Sequence, residues 1–293
     1  MSIDRRLFLG GLAGLAASAT VPALAGFSPR IVSLDYAAAE TLISLGAPPV
    51  GIQSADRWQR WVVEPGLPEG VVNVGQDLAV NLEVIAALKP DMILTTPYTD
   101  SLRKRLSVIA PVHKVSVYDQ SGTPLVNAYR ETGRLGQLAE RPAAAARFLE
   151  TADAEFSAMR DKLAKRPRPP VTLVNFMDNR HVRVYGKSGL YQDVLDRLGL
   201  TNAWTRPTNY WGFATVGLEE LARQAPSAMH LIAFEPIVDE IRPTLASSPI
   251  WRRMPVVEQE RFTVFPPVLT FGMVPSALRF ARLITNYLEG QGQ

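Results

Sequence analysis

The chain of 293 residues contains no cysteine. Disulfides, iron–sulfur clusters and thiolate zinc sites are excluded, but the compartment stays open, because many exported proteins carry no disulfide. Histidine is scarce too. The three present, His113, His181 and His230, stand far apart without the H-x-x-x-H or H-x-x-E-H spacing of a zinc helix, so they read as strand or loop histidines and no protein-held metal is expected. Neither sign of charge dominates: 31 Lys and Arg face 28 Asp and Glu, without long basic runs, which offers nothing for nucleic acid to recognise. Enzyme signatures are also missing. Gly186-Lys187-Ser188 imitates the end of a phosphate-binding loop, but His181 occupies the position of its first glycine, and Gly186-Lys-Ser-Gly189 lacks the spacing of a nucleophile elbow. The chain is therefore not expected to be an enzyme, an exported α/β enzyme being the remote alternative.

The N-terminus carries a different message. Arg5-Arg6 precede an apolar, Gly/Ala-rich stretch from Gly10 to Val21, and Ala23-Leu24-Ala25 gives a small-x-small cleavage pattern. The stretch is shorter than the ~20 residues a spanning helix needs. Residues 1–25 thus read as a twin-arginine signal, cleaved after Ala25, that places the mature protein in the periplasm. No cysteine is available for a lipid anchor, and no later apolar run is long enough to span a bilayer.

From Gly26 onward, short apolar runs alternate with helical periodicity. Strands are expected over Arg30–Leu34, Val50–Ile52, Val71–Gly75, Met92–Thr95 and Val112–Val117, and in the second half over Val171–Phe176, Val182–Tyr185, His230–Phe234 and Phe262–Phe265. A long helical region between them ends in the proline-rich Lys165–Pro170 segment. The fold class is α/β: an N-terminal lobe over 26–141, a linker helix over 142–167, and a C-terminal lobe over 168–293. A single helical crossover implies limited lobe closure, with ligand bound between the lobes at the strand carboxyl ends. Aromatic residues gather at those ends. Tyr36, Trp58 and Trp61, Tyr98, Tyr210-Trp211 and Phe271 all follow strands rather than forming apolar stripes. Together they describe an aromatic-lined cleft for a bulky, weakly charged ligand.

Several stretches resemble the periplasmic ferric-hydroxamate-siderophore-binding proteins: Arg30-Ile-Val-Ser-Leu with Glu40, Trp61-Val-Val-Glu-Pro65, Asn81-Leu-Glu83, Asn202-Ala-Trp204 and Thr208-Asn-Tyr-Trp-Gly212. The resemblance implies the class III architecture, two Rossmann-like β/α lobes on one long backbone helix. It also implies an iron(III)–siderophore ligand without resident cofactor, and a monomer delivering to an inner-membrane ABC permease with its ATPase. It assigns Tyr98 as a hydroxyl donor to a hydroxamate oxygen, Trp61 and Trp211 as pocket walls, Tyr36 in place of a usual tryptophan, and Phe271 beside the ligand. Asp77 stands where a pocket arginine is usual, and Leu269 where another wall tryptophan is. Asp100, Asp239 and Glu240 are the candidates for docking on the permease. Haem with Tyr98 as axial ligand, or a catecholate siderophore, are the alternative ligands. A carboxylate ~4 Å from a unit charge interacts at roughly 4 kcal/mol at an effective dielectric of 20. Asp77 in the pocket would thus disfavour a trianionic triscatecholate relative to a neutral trihydroxamate.

Overall fold

The computed structural model describes residues 28–224 and 228–290; the export-signal reading falls on residues 1–25, outside the described residues. In the first half, β1 (Ile31–Ser33), β2 (Gly51–Ile52), β3 (Val72–Asn73), β6 (Met92–Thr95) and β7 (Val112–Lys114) form an all-parallel sheet in the order β3-β2-β1-β6-β7. The apolar residues of the central strands β1, β2 and β6 are mostly buried, as parallel strands covered on both faces require, whereas edge β3 is exposed. The second sheet has the order β10-β9-β8-β11-β12, built from β8 (Val171–Phe176), β9 (His181–Tyr185), β10 (Phe213–Gly217), β11 (His230–Phe234) and β12 (Phe262–Phe265). In it β8, β11 and β12 run parallel, while β9 lies antiparallel to both β8 and β10.

Two expectations need correction. The run Val71–Gly75 is not one strand: β3 ends at Asn73, and Gly75 opens a hairpin of β4 (Gly75–Gln76) and β5 (Ala79–Val80). Gly75 adopts φ +106°, and a Cβ there would lie 2.7 Å from the Ala79 carbonyl oxygen, so the tight pairing requires glycine. Strand β10 lies outside the sequence pattern, because Phe-Ala-Thr-Val-Gly neither alternates cleanly nor buries fully at its sheet edge.

A helix over Pro142–Ala164 crosses between the two sheets, beginning on proline, whose missing N–H costs nothing at a helix start. Its Ala152, Phe156, Met159 and Leu163 enter a continuous core shared by Ile31, Leu42 and Leu94 of the first lobe and Leu173, Tyr191 and Phe234 of the second. The C-terminal helix, Val274–Gly290, packs against this backbone helix and against the first helix, Tyr36–Ser44. Among the described residues no helix is long and apolar enough to cross a membrane.

Candidate ligand-binding cleft

The parallel strands of the first sheet all end on one side, so the segments that follow them converge there. Asp35 follows β1, Gln53 follows β2, Thr96–Thr99 follow β6 and Val115–Tyr118 follow β7; all line one cavity of about 470 Å³. The opposite wall comes from the second lobe: Arg183 of β9, Trp211, Phe213 of β10 and Phe271. The volume lies within the ~300–1,000 Å³ usual for small-molecule sites.

Trp211 is held by a turn that the sequence builds locally. The Asn209 side-chain oxygen accepts from the Trp211 amide at 2.9 Å and from the Phe213 amide at 3.2 Å. Gly212 has φ +77°, and a Cβ on it would come within 2.2 Å of the Gly189 Cα. Only glycine lets these two backbones touch, and their contact sets the angle at which Trp211 is presented. Tyr118, Trp211 and Phe271 then form a mutual aromatic cluster with ring centroids 5.5–5.7 Å apart. The lobes are tied at this point. Tyr118 donates its hydroxyl to the Thr270 carbonyl at 3.1 Å and accepts on its own carbonyl from the Tyr210 hydroxyl at 2.6 Å. Burial pushes the Tyr118 phenol well above its ordinary range, so it stays protonated and keeps donating.

Three of the aromatics expected at the ligand, Tyr98, Trp211 and Phe271, stand on this cavity, with Tyr98 the most open at 63% exposed. The other three expected residues do not line it. Tyr36 turns its hydroxyl to the Ser54 carbonyl at 2.7 Å and packs edge-on against Trp58, which pushes its pKa to about 12 through burial. Trp61 lies on the surface with the Arg60 guanidinium over its ring. Asp77 occupies the exposed turn between β4 and β5 at φ +47°, a conformation aspartate tolerates. Leu269 is half-buried, packs against the core and is not on the cavity wall. Of the docking candidates, Asp239 and Glu240 are exposed, whereas Asp100 accepts from the Arg103 Nε at 2.8 Å. Among the described residues no group of three or more His, Cys, Asp or Glu is placed to hold a metal.

The structure adds polar groups that sequence reasoning missed. Arg183 lays its guanidinium 4.1 Å from the Phe213 ring centroid, and its buried Nε has no hydrogen-bond partner. Across the cavity the buried Gln53 Oε1 is also unpartnered. Buried polar atoms are normally paired, so unpaired ones on a cavity wall are points where a ligand gains hydrogen bonds. A signal for Arg183 does exist in the sequence: it interrupts the apolar run Val182-Arg183-Val184-Tyr185. Val182 and Val184 face the second lobe's own core, while Tyr185 joins the core shared between lobes. Arg183, on the Tyr185 side of the pleat, therefore faces the cavity.

Two β/α lobes on one backbone helix, with an aromatic-walled cavity between them, define a class III binding protein. A sequence profile described as periplasmic binding protein matches residues 31–269, and the chain belongs to that family. It is 30% identical to an iron(3+)-hydroxamate-binding protein of Escherichia coli K12 over 89% of this chain and 88% of that one. The solved structure of a siderophore-binding protein from Vibrio cholerae, with Fe3+–Desferal bound, superposes with a TM-score of 0.83 at 30% identity, covering 89% of this chain and 98% of that one. A triscatecholate siderophore-binding protein of Bacillus subtilis superposes with a TM-score of 0.73 over 90% of this chain and 93% of that one. Its identity is only 17%, which shows the shared fold alone.

Proposed function

We propose that this protein captures a ferric siderophore of the hydroxamate type in the interlobe cavity and delivers it to an inner-membrane ABC permease and its ATPase. The observation that carries this reading is the cavity itself: aromatic walls from both lobes with two unpaired buried polar atoms between them. The kinship with hydroxamate-binding relatives supports it. Iron arrives already six-coordinate in its chelator, so the protein supplies neither metal ligand nor resident cofactor and performs no chemistry. Trp211, Phe271 and Phe213 cover the apolar chelator backbone; Arg183 and the Tyr98 hydroxyl donate to hydroxamate oxygens. The chain works as a monomer, exported by the twin-arginine signal and cleaved after Ala25. The exposed Asp239 and Glu240 are offered to the permease, while Asp100 stays engaged with Arg103.

Titration of the purified protein with ferric desferrioxamine B, followed by tryptophan fluorescence, tests the reading. Saturable one-to-one quenching is expected. Failure of every ferric hydroxamate to quench, together with a Soret band on adding haemin, would replace it with haem binding.

A further inference from the structure

Among the described residues only two charged side chains line the cavity, and they come from opposite lobes: Asp35 from the first, Arg183 from the second. Asp35 is held firmly. It is the N-cap of the helix Tyr36–Ser44, its Oδ1 accepting from the Ala38 amide at 2.8 Å. Its backbone is fixed by Ser33, whose hydroxyl donates to the Asp35 carbonyl at 2.8 Å and accepts from the Asp35 amide at 3.3 Å. The carboxyl group therefore cannot swing away when a ligand enters. Beside it on the same lobe is Gln53, with its unpartnered buried amide oxygen.

The cavity is thus polarised. One wall gathers acceptors, Asp35 and Gln53; the other offers a guanidinium. A uniformly basic cavity would draw any ferric chelate in proportion to its negative charge, and this one would not. Resting on the siderophore reading above, we propose that Asp35 is the residue that sets charge selectivity. It disfavours anionic chelates, admits neutral trihydroxamates, and favours those carrying a cationic amine. The bound chelate turns its hydroxamate oxygens towards Arg183 and its N–H groups towards Asp35 and Gln53. The exposed Asp77, at the hairpin tip and off the cavity wall, plays no such part.

The test uses the full mature protein and three probes: ferric desferrioxamine B, which carries an ammonium group; its N-acetylated, neutral form; and a trianionic ferric triscatecholate. The variants are Asp35→Asn and Asp35→Ser, both able to cap the helix without charge, with thermal melts confirming that each folds. The unmodified protein is expected to bind the ammonium form at least as tightly as the neutral form, and the trianion worst. Removing the charge should strengthen trianion binding about tenfold or more, about 1.4 kcal/mol, and erase any preference for the ammonium form. Neutral-form affinity should fall less than ammonium-form affinity, because a hydrogen bond weakens but no charge attraction is lost. Unchanged ratios among the three probes in both variants, with the neutral form still bound, would overturn the Asp35 assignment and leave the siderophore reading intact. If no ferric hydroxamate binds the unmodified protein, the siderophore reading falls and takes this assignment with it.

Discussion

Trp211 stands 39% exposed on the cavity wall, packed against Tyr118, Phe271 and its neighbour Tyr210. Truncating an aromatic that stacks on a ligand commonly costs ~2 kcal/mol, more than tenfold in affinity. Trp211→Ala should therefore weaken ferric hydroxamate binding by at least that factor in a fluorescence titration. Arg183→Gln should do the same, because it withdraws the one lining cation among the described residues. Asp77→Arg, on an exposed turn, should change affinity less than about threefold; a larger change would bring the β4–β5 hairpin into the site. The contrast among these residues shows what the sequence could reveal. Tyr98, Trp211 and Phe271 were legible because a large aromatic directly after a strand has few places to go except the strand-end cleft. Tyr36 and Trp61 satisfy the same pattern, yet a neighbouring carbonyl claims the Tyr36 hydroxyl and Trp61 turns outward to Arg60. Asp35 was hidden by its second role, since a helix cap and a cavity wall look identical in one dimension.

At the scale of elements, the turn Asn209–Gly212 and the first helix carry the site. Gly212→Ala would drive a methyl group into the Gly189 backbone at an already left-handed φ. The variant should lose about 2 kcal/mol or more in urea unfolding and, with Trp211 displaced, much of its ligand-induced quenching. The first helix links the cavity to the second lobe through Glu40, whose fully buried carboxyl accepts from the Met273 amide at 3.0 Å and the Ser276 hydroxyl at 2.7 Å. Desolvation raises its pKa to about 8, with the Asp35 charge adding to the rise and the Ser276 and Met273 hydrogen bonds opposing it. The folded state therefore keeps a proton that the unfolded chain releases near pH 4.5. Stability from this group is complete below that pH and declines as pH rises through about 8. Glu40→Gln should flatten the fall in melting temperature between pH 5 and 8; an equally steep profile would refute the role of Glu40. Central strands such as Val171–Phe176 and Met92–Thr95 were legible from their continuous apolar runs. The edge strand Phe213–Gly217 was not, because half-buried edges carry a weaker pattern and their pairing is decided by distant β9.

The molecule as a whole is stiffened by a core that does not stop at the lobe boundary and by ties on more than one side. Besides Tyr118 and Glu40, the nearly buried Arg279 of the C-terminal helix reaches Glu64 of the first lobe at 2.8 Å. Hinge closure would have to break these contacts together. Scattering profiles with and without ferric desferrioxamine B should therefore nearly superimpose, and a marked fall in radius of gyration on loading would contradict the rigid connection. The stitched floor under the aromatic cluster has one more consequence. With Tyr118 bonded on both its hydroxyl and its carbonyl to the opposite lobe, the two walls cannot part here without losing both bonds. On the siderophore reading proposed above, release would then come without a hinge opening at this seam.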